Sequence, residues 1–258
     1  MQRPFRGKVL LIRRKYVVAV ALVLSVIAIF YIINHPAVVG VSGRERVLPI
    51  YSVYRDDQAI SLTFNVTDPA DTTILQIMET LNAYDVRASF FVTGQWIRQN
   101  EAVALRLTEH GHELGNLSDD HSFLRQQSTS AMRENIAACN ATIEAITGAR
   151  PAIFRAPYGG YDDNLVTLAR SLGLHTVQWS IDSGDWRGLN AETIARQVQR
   201  GAFPGGIVLL HANLEQTALA LPGIIEGLQE KGYDLIPLSE LVHQTAYTIS
   251  LTGRQIPA

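Results

Sequence analysis

Covalent bracing is almost absent from this chain: Cys139 is the only cysteine among 258 residues, so no intramolecular disulfide can form. The folded part must be held by its core, and a chain of about 200 residues outside a membrane is large enough to supply one. Cys139 falls within a helical pattern and reads as a small buried apolar residue rather than a nucleophile. Several motifs are missing too. No G-x-G-x-x-G follows the first strand-like run, which removes support for a dinucleotide site. No G-x-S-x-G elbow is present for a serine hydrolase. There is no low-complexity run and no internal repeat.

Acidic residues are missing from the first 40 positions, and charge of either sign is missing between Lys15 and Arg44. Residues 16–33 (YVVAVALVLSVIAIFYII) are 18 uncharged residues in a row. A helix of that length, rising roughly 1.5 Å per residue and continued by Ala37-Val38-Val39, crosses most of a bilayer core. Arg3, Arg6, Lys8, Arg13, Arg14 and Lys15 precede it, and the positive-inside rule keeps them in the cytoplasm and sends the rest outside. The expectation is a cytoplasmic basic segment at 1–15, a single-pass signal anchor at 16–39 in the cell membrane and a linker at 40–57. A cleaved signal peptide is the alternative, although no A-x-A site follows the apolar run. The chain carries a formal charge of −2 and its first 40 residues carry +6, which leaves −8 on residues 41–258. Nucleic acid is therefore excluded as a partner of that domain.

From Ala59 onward strand-like and helix-like stretches alternate. Val86, Ala88, Phe90 and Val92 repeat with the period of a buried strand, and Ile74, Ile77, Met78 and Leu81 with that of a helix. Further helix-like stretches near 101–109, 129–147, 163–172, 191–200 and 216–230 separate strand-like stretches near 112–116, 152–155, 175–180, 206–210 and 233–236. Gly111, Gly148, Gly173, Gly201 and Gly232 stand where those helices should stop. With a strand at 59–64, about seven βα units fit a single α/β domain over 58–242, a distorted (β/α) barrel of about seven strands. A doubly wound open sheet is the other candidate. Residues 243–258 are expected to be a loose tail, although Tyr247-Thr248-Ile249-Ser250-Leu251 alternates as a last edge strand would.

In a barrel, chemistry gathers at the C-terminal ends of the strands. Asn65, Asn116, Arg155, Asp182 and His211 all fall there. An Asp pair three apart on one loop, Asp182 and Asp185, is not where the opposed acid and base of a glycosidase stand. His112, on a strand beside Glu113, reads as structural. The sequons at Asn65, Asn116 and Asn140 are short enough to arise by chance.

Five segments, in this order and spacing, carry a resemblance. They are Leu62-Thr63-Phe64 with Ala88 to Gly94, Gly111-His112-Glu113-Leu114-Gly115-Asn116, Arg155-Ala156-Pro157-Tyr158-Gly159, Asp182 to Trp186, and Leu209-Leu210-His211. Together they resemble the polysaccharide deacetylase domain (NodB homology, carbohydrate esterase family 4). Its members share a distorted (β/α) barrel and remove acetyl groups from chitin, peptidoglycan or xylan with a divalent metal, zinc or similar. The resemblance implies His211 as catalytic acid, Asp185 as its orienting carboxylate and Arg155 as the clamp on the general base. It places Trp186 and Leu209 around the acetyl group and the Tyr158 amide at the oxyanion. The implied partner is a cell-wall polysaccharide or oligosaccharide, and the implied reaction is hydrolysis of a non-peptide carbon–nitrogen bond.

The chain departs from the family pattern at the other half of the site. Where the family reads T-F-D-D-G-P, this chain has Thr63-Phe64-Asn65-Val66-Thr67-Asp68-Pro69. Where the family reads H-[ST]-x-x-H, it has Leu117-Ser118-Asp119-Asp120-His121. The base position Asn65 and the ligand positions Val66 and Leu117 are thus substituted, and His121 alone remains. Asp68 as a stand-in base or ligand, and Asp120 beside His121, are the residues able to rebuild a metal site. Asp68-Pro69 also reads as a turn, and Asp71 as a helix cap before Ile74. Arg155, facing an amide at 65, should either meet another acid or be more exposed than usual. Two expectations stand: a membrane-anchored deacetylase with a shifted metal, and a degenerate member that binds glycan without hydrolysis.

Overall fold

A computed structural model of the chain describes residues 22–26, 28, 46–68, 70 and 72–258. Residues 22–26 and 28 are helical. The rest of the expected anchor, the basic segment at 1–15 and Asp71 lie outside the described residues. Among the described residues no helix is long and apolar enough to cross a membrane. The folded unit begins at Val47 rather than at 58.

The unit opens with β1 (Ser52–Val53) and β2 (Ala59–Val66), then α1 (Thr73–Ala83), β3 (Ser89–Val92), α2 (Gly94–Gln99), α3 (Glu101–Glu109) and β4 (Glu113–Asn116). It continues with α4 (Thr129–Thr147), β5 (Ile153–Phe154), α5 (Asp163–Ser171), β6 (His175–Thr176), β7 (Ile181–Asp182), α6 (Ala191–Gly201) and β8 (Ile207–His211). It closes with α7 (Glu215–Gln229), β9 (Asp234–Leu235), α8 (Leu238–Leu241), β10 (Tyr247–Ile249) and β11 (Arg254–Pro257). Strands β6, β5, β4, β3, β2, β8 and β7 lie side by side in that order, all parallel, and β9 joins β2 at Ala59 and Ile60. This curled sheet under a layer of helices fits the distorted (β/α) barrel.

Both faces of the sheet are buried, as parallel strands require. On β2 the alternate residues Ile60, Leu62, Phe64 and Val66 pack with Ile77, Met78 and Leu81 of α1 and with Leu221 and Ile224 of α7. The opposite face turns Ala59 inward beside Phe91, Leu117, Ile153, Val177 and Ile207. Helix starts are fixed by side chains that accept otherwise unpaired amides: Ser128 from Ala131 N–H, Asp162 from Leu165 N–H and Asn190 from Thr193 N–H. Gly148 ends α4 at φ 73°, a left-handed value that favours glycine. Gly201, expected to stop a helix, lies instead within α6.

Two other expectations differ from the fold. The segment assigned to a linker, 40–57, supplies Ile50 and Val53 to the core. Ile50 bridges Val177 just after β6, and Val53 N–H donates to Gly205 O just before β8, so this segment runs along the open side of the barrel. Residues 243–258 are not a loose tail. Strands β10 and β11 form an antiparallel hairpin, and β11 pairs in parallel with β1. Gln255 is fully buried, its side chain bonded to both N–H and C=O of His243.

Candidate active site

Strand register brings the expected residues to one rim. Asn65 sits opposite His211 across β2 and β8, and opposite Phe91 across β2 and β3. Asp182 sits opposite Leu209 across β7 and β8, and Arg155 follows β5 with its N–H on Asn116 O.

The acid half is assembled as expected. Asp185 Oδ1 lies 2.9 Å from His211 Nδ1, and Asp185 Oδ2 accepts from His211 N–H at 2.7 Å and from Thr217 Oγ1 at 2.8 Å. Trp186 N–H donates to Asp185 Oδ1 at 2.8 Å. Burial pushes the Asp185 carboxyl up, but the hydrogen bonds and charge of His211, with Thr217, outweigh it and hold the carboxyl below its ordinary value. An ionised Asp185 on Nδ1 steadies the imidazolium and leaves Nε2 to face a substrate. Thr217 carried no signal in the sequence, because a threonine one turn into α7 looks like any surface residue.

Arg155 is fully buried, contrary to both options drawn from its neutral neighbour. Its Nη1 donates to Asn65 Oδ1 at 3.0 Å, and Nη2 donates to Thr63 Oγ1 at 2.8 Å and Gln178 O at 3.1 Å. The guanidinium lies over the Phe91 ring at 4.0 Å, with Trp179 at 5.7 Å. Its Nε and the Oε1 of Gln178 are buried without a partner among the described residues. Desolvation pulls the Arg155 pKa down to about 9, so it remains charged at neutral pH. Neutral dipoles and two aromatic faces take the place of a carboxylate.

Among the described residues the metal half does not reassemble. Val66 and Leu117 are buried apolar side chains, and Val66 belongs to the helix-covered face together with Phe64 and Val92. Asp68, exposed on its turn, accepts from Ala70 N–H at 2.9 Å. Asp120 is exposed as well, taking Ser122 N–H at 3.1 Å and Asn135 Nδ2 at 2.9 Å. Asp119 pairs with Arg98 at 2.8 Å. Asp68 and Asp120 thus each engage Oδ1 in a turn and Asp119 pairs with an arginine, and among the described residues no three His, Cys, Asp or Glu side chains are placed to hold a metal. A catalytic zinc needs about three protein ligands, so this donor set does not fit one. His121, which keeps its family position, contacts Tyr158 instead, with ring centroids 4.5 Å apart. Burial and then the charge of His211 lower its pKa.

Of the expected acetyl-pocket residues, Leu209 is buried on β8. Trp186 is largely exposed, with its Nε1 3.3 Å from Asp182 Oδ1 and Arg187 at 4.7 Å over its ring. Asn116 is structural: Nδ2 donates to Ile136 O and Asn140 Oδ1, and Oδ1 accepts from Ser118 N–H.

A family model described as polysaccharide deacetylase matches residues 52–177. A peptidoglycan-N-acetylglucosamine deacetylase of Bacillus cereus is 30% identical over 197 residues, which cover 74% of this chain and 92% of that protein. The chain belongs to the polysaccharide deacetylase family. Another member, the peptidoglycan-N-acetylglucosamine deacetylase of Listeria monocytogenes, is 33% identical over 187 residues, 72% of this chain. The match spans only 39% of that longer protein. Among solved structures, a CE4 family pseudoenzyme from Bacillus anthracis superposes with a TM-score of 0.72 at 29% identity, covering 81% of this chain and 73% of that one. A mutant of the same protein, with a TM-score of 0.72 and 30% identity, is described as having restored enzymatic activity. The family thus includes deacetylases and a pseudoenzyme at similar distance from this chain.

Proposed function

We propose that this protein is a membrane-anchored, extracytoplasmic member of the polysaccharide deacetylase family. In this reading it engages acetylated cell-wall glycan, such as peptidoglycan or a chitin-like oligosaccharide, without hydrolysing it. One observation carries the second half of that statement. The positions that would hold base and metal are an amide, Asn65, and two buried hydrocarbons, Val66 and Leu117, while Asp68 and Asp120 are bonded within their own turns. Water at those positions meets neither the carboxylate base nor, among the described residues, the three-ligand metal site that the resemblance implies.

The retained rim fits recognition. His211 offers Nε2 as a donor, the Tyr158 amide stands where the resemblance puts an oxyanion donor, and Trp186 with Tyr158 presents aromatic surface. A second reading, deacetylation by this same site, is supported by the intact Asp185–His211 pair and by the activity of the named relatives. Acetate release separates the two. The full chain in detergent should retain N-acetylated peptidoglycan while releasing no more acetate than its His211→Ala variant, with or without added zinc. Acetate release that depends on His211 would establish deacetylation and end the binding-only reading.

A further inference from the structure

Phe123 and Tyr158 form an exposed ring pair at the edge of the site. Tyr158 is 61% exposed and Phe123 53%, yet their rings stack with centroids 4.2 Å apart and planes 15° from parallel. The His121 imidazole lies against the Tyr158 ring as well, with centroids 4.5 Å apart. Two loops, one after β4 and one after β5, must therefore meet in a fixed geometry. Each contains a non-glycine residue in the left-handed region, His121 and Tyr158, both at φ 57°. Such a conformation costs about 1 kcal/mol or more per residue and persists only where the surroundings fix it.

The fixing contacts are present on both sides. Ser118 Oγ accepts from His121 N–H at 2.9 Å, and Ser118 N–H is itself held by Asn116 Oδ1 at 2.6 Å. On the other loop Gln178 Nε2 donates to Gly159 O at 3.1 Å, and Gly159 N–H closes on Ala156 O at 3.0 Å. Two loops held in this way present two aromatic rings that are each more than half exposed and gain little from burial. An exposed, rigid aromatic face beside a polar rim is the mark of a ligand surface. Tyr158 follows Arg155 by three residues, Arg155 donates to Asn65 Oδ1 at 3.0 Å, and Asn65 stands opposite His211 across β2 and β8, which sets the ring pair on the same rim as the acid half.

We propose that the Phe123–Tyr158 pair is a stacking platform for one pyranose ring of an N-acetylated glycan, holding that sugar beside His211. The inference rests on the glycan reading above and names the residues that carry it. A pyranose presents an apolar C–H face that an aromatic ring complements, while its hydroxyl and acetamido groups point outward to polar partners such as His211. Trp186, another exposed aromatic on the rim, already has Arg187 over its ring.

The test uses the full chain in detergent micelles, with the hexasaccharide of N-acetylglucosamine as probe and calorimetry as readout. Phe123→Ala should weaken binding about 10-fold or more, Phe123→Trp should bind within roughly 3-fold of the parent, and Leu219→Ala, remote on α7 and 57% exposed, should bind like the parent. Because Phe123 is exposed, all variants should melt with the parent. Parent binding that Phe123→Ala leaves unchanged overturns the platform while the glycan reading stands. Failure of the parent itself to bind the hexasaccharide and peptidoglycan overturns the glycan reading, and the platform with it.

Discussion

Arg155 is buried among Thr63, Asn65, Gln178 and Phe91 with no carboxylate on it among the described residues, and that arrangement makes a residue-scale prediction. Asn65→Asp would place an anion 3.0 Å from Nη1, so the variant should melt higher at pH 7 by the equivalent of about 1–3 kcal/mol. Its carboxyl pKa would be depressed by the guanidinium, so the gain should be full above the ordinary carboxylate range and vanish as pH falls through the depressed value. A melting temperature unchanged or lowered at pH 7 would contradict this view of Arg155. His112 makes the second prediction. Burial drops its pKa from 6.5 to about 4, while Nδ1 accepts from Ala88 N–H. The unfolded chain therefore takes up a proton that the fold resists, and stability should fall by about 3 kcal/mol as pH drops from 6.5 to 4. His112→Asn, which keeps an acceptor for Ala88, should flatten that slope in pH-dependent denaturation, and an unaltered slope would refute the assignment. At this scale the Asp185–His211 pair is legible through the family resemblance, which sets both residues in recognisable motifs. It conceals Gln178, Thr63, Thr217 and Phe123, because neutral polar and aromatic residues look the same in a site as elsewhere.

The long helices are legible as periods, and α4 begins and ends where the spacing puts it, at 129 and 147. The short α2 and the two-residue β7 are not, since too few residues repeat to show a period. The C-terminal hairpin is the clearest failure. Its partner is β1, some 200 residues earlier, and the alternation at Tyr247–Leu251 suggests a strand without naming a partner at that distance. A firm expectation follows. Truncation after Gln244 would strip β1 of its neighbour and expose the cavity left by Gln255, so the domain should lose about 2 kcal/mol or more, roughly 4–8 °C in melting temperature. A truncated chain melting with the parent would show that the hairpin is ornamental.

For the whole molecule, the barrel was legible from alternation alone, and the family from five short segments in order. What the residues could not show was whether nearby acids reach the lost metal positions, because that depends on how two turns fold. They fold so that Asp68 and Asp120 cap their own loops. The barrel therefore keeps the Asp185–His211 pair, while the positions of the family's base and metal ligands hold an amide, Asn65, and hydrocarbon, Val66 and Leu117. Zinc titration of the metal-free chain at pH 7 tests this most directly. The account predicts no binding tighter than a lone exposed imidazole provides, and no change on replacing Asp68 or Asp120 by asparagine. One equivalent of tightly held zinc, lost in His121→Ala, would contradict it.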